Sequence, residues 1–127
     1  MSFFRLCVAA VLITAPLAPA SAQTPPAASR EGWSQQQMID LAAVLGGAHY
    51  LRITCDGRGD QRWRNYARDL IARAPDLRRP LSDAFNDGYR DQAARFPDCS
   101  PTAQQVEAEL RARGLRIASA LSAHNGN

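Results

Sequence analysis

The sequence predicts an all-α fold: a small antiparallel four-helix bundle stapled by one disulfide, Cys55–Cys99, behind a cleaved signal peptide. Three observations predict it. Apolar residues recur at helical spacing in four segments punctuated by proline or glycine, and nowhere alternate for long as a strand would. Residues 1–22 read as an export signal. Two cysteines then remain, an even number in an exported chain, for which a bridge is the default.

The signal has three parts. Arg5 is the only early charge, an apolar run extends from Leu6 to Leu17, and Ala20-Ser21-Ala22 supplies small residues at an A-x-A cleavage site. The run is too short for a comfortable membrane span, so cleavage after Ala22 is expected, and Cys7 leaves with it. Residues 23–33, with Pro25-Pro26-Ala27-Ala28-Ser29, read as a disordered leader before a helical domain over 34–123.

The first helix opens at Ser34, with Gln37 completing a capping box and Trp33 and Met38 spaced for a hydrophobic staple. Met38, Leu41, Leu45, Ala48 and Leu51 share one face, with Val44 beside it. Gly46 and Gly47 each cost about 1 kcal/mol relative to alanine inside a helix, which suggests that a partner helix passes very close. The helix should end near Thr54, before the Asp56-Gly57-Arg58-Gly59 turn.

The second helix starts near Asp60. Trp63, Tyr66, Ala67, Leu70, Ile71 and Ala74 form its inner stripe, arginines take the other face, and Pro75 stops it. The third begins at Pro80 and presents Leu81, Ala84, Phe85, Gly88, Tyr89, Gln92 and Phe96, ending at Pro97. The fourth has Ser100 as cap and Pro101 at its first position, and runs through Ala103, Val106, Leu110, Ile117, Ala118 and Leu121, with Gly114 placed to bend it. Residues 124–127 should fray. In an up-down arrangement, helices one and three both climb to the same end, which brings Cys55 and Cys99 together. Closing the long loop between them should stabilise the domain by about 4 kcal/mol.

Chemistry is sparse. All 15 basic residues are arginine, and a formal net charge of +3 is too weak a bias to argue for nucleic acid. Two histidines, His49 and His124, and two isolated cysteines do not make a metal set. Asp56-x-Arg58-x-Asp60 fails as a calcium loop, because arginine and then Gln61 and Ala67 occupy positions that need other residues. Asp83, Asp87 and Asp91 make an acidic stripe that reads as a solvated face pairing with second-helix arginines. The aromatics fall on inner faces and read as core.

The stretches Leu41 to Arg52, Cys55, Asp60-Gln61-Arg62-Trp63-Arg64, Ala84 to Arg90 and Cys99 together resemble a family of small exported alphaproteobacterial proteins with no assigned function. The resemblance spans most of the mature chain. It implies a signal peptide and a bridged cysteine pair, but no reaction and no catalytic residue.

The functional expectation is an exported, non-enzymatic binding or structural module of the periplasm, without cofactor or metal. Its partner would be an envelope or periplasmic protein or a cell-wall component. The surface expected to bind carries His49, Arg52, Arg64, Asn86 and Arg90, polar residues set beside small and aromatic ones. The alternatives are an acid-stress chaperone, an immunity-type inhibitor, and an envelope hydrolase using His49 with a carboxylate.

Overall fold

The computed structural model describes residues 27–126, which fold into four α-helices with no strand among them. These are α1 (Ala27–Asp56), α2 (Arg62–Arg73), α3 (Arg78–Arg95) and α4 (Pro101–Asn125), with a 3-10 turn at Pro75–Leu77 leading into α3. The expected signal peptide lies outside the described residues.

α1 is the hub. The other three helices pack round it, while α2 and α4 make little contact with each other. Its middle is buried without a break from Val44 to His49, so a single amphipathic stripe does not describe it. Directions follow from the contacts. Gly46 faces Phe85, Tyr50 donates its hydroxyl to the Phe96 carbonyl at 2.7 Å, and Cys55 meets Cys99, so α3 runs with α1. Gly114 lies against Leu41 and Val44, and Arg52 against Glu107, so α4 runs against it. The bridge joins residues 44 apart in sequence with Cα atoms 4.9 Å apart.

The glycines explain how α3 comes so close. A methyl on Gly46 would collide with the Phe85 carbonyl, and one on Gly88 with the Ala43 carbonyl, so the two helices cross with backbone on backbone. Gly47 lies beside this crossing, near Gln92 of α3 and Leu110 of α4. The partner that the Gly46-Gly47 pair called for is therefore α3, within the chain. Gly114 does not break α4; it is buried where that helix meets Val44.

Several boundaries differ from the sequence reading. α1 begins at Ala27, so the leader expectation is corrected over 27–33 and Ser34 is not a cap. Ala27-Ala28-Ser29-Arg30-Glu31 contains no helix breaker, and the prolines precede the helix, where they are tolerated. Trp33 pairs with His124 rather than stapling the start, their rings 4.4 Å apart, and α4 continues to Asn125 instead of fraying at 124. α3 starts at Arg78, with Pro80 still in its first turn. Ser100 caps α4 as expected: its Oγ accepts from the Ala103 N–H at 3.1 Å. The acidic stripe pairs within its own helix, Asp87 with Arg90 and Asp83 with Arg79, because those arginines stand one turn away.

Candidate functional site

Three places on the molecule concentrate polar or exposed groups. The first is an ionic cluster at the disulfide end. The Nε of Arg52 stands 3.0 Å from both Asp56 and Asp60. Asp60 also accepts from the Arg62 side chain at 2.9 Å and from its backbone N–H at 3.2 Å, which ties the start of α2 to α1. These hydrogen bonds, first from Arg52 and then from Arg62, hold the Asp60 carboxyl at about 2. Glu107 of α4 is only 6% exposed; one oxygen pairs with Arg111 at 3.1 Å and lies 3.9 Å from Arg52, while the other is buried without a hydrogen-bond partner. Arg52, Asp56, Glu107 and Arg111, together with Cys55, line a polar recess of about 210 Å³.

The second is His49. It is 5% exposed, with Phe85 and Tyr89 of α3 at ring distances of 5.9 and 6.2 Å, and its Nδ1 has no hydrogen-bond partner. Burial pushes its pKa down, Arg64 pushes it further, and Asp60 opposes both. The ring is enclosed by aromatics, and no hydroxyl or thiol stands within hydrogen-bond reach of its Nδ1.

The third is a groove of about 800 Å³ between α2 and α4. Its floor is the α1 stripe Leu41, Val44, Leu45 and Ala48. One wall is Trp63, Tyr66 and Leu70, and the other is Leu110, Leu115 and Ala118. Tyr66 is 61% exposed and Leu115 70%, and the Tyr66 ring stacks on Trp63 at 5.9 Å. This corrects the reading of Tyr66 as core: among the described residues no helix covers that flank of α2, so its apolar stripe is only partly used. Arg62, Arg73 and Arg111 border the groove, with Asp69 the single acid in its lining.

The five residues expected at a binding surface are distributed as follows. His49 is enclosed, and Arg64 is near enough to act on it electrostatically. Arg52 is held by three carboxylates, two of them at 3.0 Å. Asn86 and Arg90 are exposed on α3, where Arg90 pairs with Asp87 at 3.2 Å. The structure thus joins His49, Arg64 and, through Asp60, Arg52, but leaves α3's pair on a separate stretch of surface. Sequence reasoning missed Glu107 and the groove. The available signal for the groove was Leu115, a leucine off the inner stripe of its helix.

Among the described residues, no group of three or more His, Cys, Asp or Glu side chains is placed to hold a metal ion, and no helix is long and apolar enough to cross a membrane. The fold and its clasp define a small disulfide-bridged, all-helical domain. Within that class the chain belongs to a family of proteins of unknown function, DUF2385, whose model matches residues 34–124. No curated protein and no solved structure matches the chain.

Proposed function

We propose that this protein is an exported, non-enzymatic binding module of the periplasm or envelope, and that its binding surface is the groove between α2 and α4. Export is supported by the charged start, short apolar run and A-x-A site of residues 1–22, and by a cysteine bridge of the kind that persists in oxidising compartments. The observation that carries the binding reading is the groove itself. It is concave and mostly apolar, with two large apolar side chains left exposed on opposite walls, which is the character of a surface awaiting a partner. It is better supported than the polar surface of His49, Arg52, Arg64, Asn86 and Arg90, whose first member is enclosed and whose second and last are engaged in ion pairs.

Two measurements test the proposal. Protein isolated from fractionated native cells should begin at Gln23 and contain no free thiol. A photo-crosslinking residue at Tyr66 or Leu115 should give a discrete adduct in those cells, while one at Asn86 should not. Retention of residues 1–22 in the cytoplasm overturns export, and equal labelling from all three positions, or from none, overturns the groove.

A further inference from the structure

We infer that the groove between α2 and α4 receives an amphipathic helix of a partner protein, with acidic residues flanking its apolar ridge. This rests on the groove being the binding surface. It adds the shape and charge of what binds.

The shape argument begins at the floor. Val44, Leu45 and Ala48 are already buried by the walls, so the groove is closed at the bottom and splayed at the top. A thin chain lying on the floor, such as an acyl tail, would leave Tyr66 and Leu115 wet. A ridge of side chains on a helix fills a splayed groove and covers both walls, which is the way helices pack on helices. The α2 wall extends from Trp63 to Arg73, and at 1.5 Å per residue this is roughly 15 Å, the span of about three helical turns with anchors at i, i+3, i+4 and i+7. The occupant would become a further helix against the hub, between α2 and α4, which make little contact with each other.

The charge argument selects the flanks. Arg62 and Arg111 border the disulfide end of the groove and Arg73 the other end, against Asp69 alone. Arg62 and Arg111 are turned toward Asp60 and Glu107, whereas Arg73 has no ion pair among the described residues. Acidic residues near both ends of the bound helix would complete this border, and basic ones would be repelled. The same border disfavours a second copy of this chain, because a two-fold contact through the groove would bring two arginine-edged surfaces together.

The test uses the oxidised protein as isolated from cells and a displayed library of 16-residue peptides. Each peptide has a fixed apolar i, i+3, i+4, i+7 ridge and randomised flanking positions. Selection should enrich Asp and Glu at the flanks. Selected peptides should become helical on binding and lose about 10-fold or more in affinity to Leu115→Glu, a substitution at an exposed site that leaves the core untouched. Arg73→Glu should weaken acidic peptides and spare neutral ones. Basic or unbiased flanks, or binding indifferent to Leu115→Glu, overturn the inference. So does tight uptake of a fluorescent fatty acid at the groove with no peptide enriched, or a dimer in sedimentation that Leu115→Glu dissolves. In these last two cases Tyr66 and Leu115 still crosslink an occupant and the binding reading stands. If crosslinking at those positions also fails, both fall.

Discussion

His49 carries the clearest pH signature. Burial first, and Arg64 second, lower its pKa, so the native state prefers the neutral ring. An unfolded chain takes up that proton near pH 6.5 while the folded one resists it. Stability from this residue is therefore intact above that value and declines as pH falls below it. Urea melts at about pH 8 and about pH 5 should differ, and His49→Gln should reduce the difference by removing the titrating group. Asp60 works lower on the scale. Its native carboxyl sits at about 2 against an ordinary 3.8, so its contribution is present above 3.8 and is lost as pH falls through about 2. Asp60→Asn should lower the melting temperature at neutral pH and shorten the acid limb of the stability curve in that window. Neither residue's partners can be read from neighbours in the chain: Asp60 was recognisable as a helix start, but not as the ligand of an arginine eight residues earlier. Gly88 is the most constrained of the described glycines together with Gly46. Gly88→Ala should cost on the order of 3 kcal/mol by denaturant titration, because the obstacle is a backbone carbonyl that cannot swing away. Gly32→Ala, helical with nothing near the added methyl, should instead be neutral or stabilising by up to about 1 kcal/mol.

At the scale of elements, legibility tracked local chemistry. The start of α4 was plain because Ser100 and Pro101 act on their own first turn, and Ser100→Ala should cost about 1 kcal/mol in thermal or urea unfolding. The start of α1 was misjudged for the complementary reason. A capping box at Ser34 is a local option, but a helix already formed from Ala27 satisfies those N–H groups internally. The end of α4 depended on a distant residue, Trp33, which no pattern within residues 124–127 contains. α2 had the cleanest amphipathic pattern in the chain, and that pattern correctly gave a helix with Ala67 inward. It could not say that Tyr66 would be left outside, because covering that flank is the task of whatever lies opposite, and nothing in the described chain does.

For the whole molecule, the disulfide is the main covalent constraint. Reducing it, or replacing both Cys55 and Cys99 by serine, should cost about 4 kcal/mol by the loop-entropy account, a large part of the roughly 5–15 kcal/mol that holds a domain of this kind together. The measurement is the denaturant midpoint with and without reductant; a midpoint unchanged by reduction would contradict the clasp. Because the bridge closes at the tops of α1 and α3, its loss should first loosen the end where Arg52, Asp60 and Glu107 meet. Helical period, prolines, one serine cap and the pair Cys55 and Cys99 were enough, read along the chain, to give four helices and their shared end, since each rests on interactions within a few residues or on simple parity. Only the tertiary structure decided that α1 is surrounded on three sides, that Gly46 meets Phe85 while Gly88 meets Ala43, and that a groove stays open between α2 and α4. Those depend on which apolar stripe finds which neighbour in space, a competition among helices that no single stretch of sequence records.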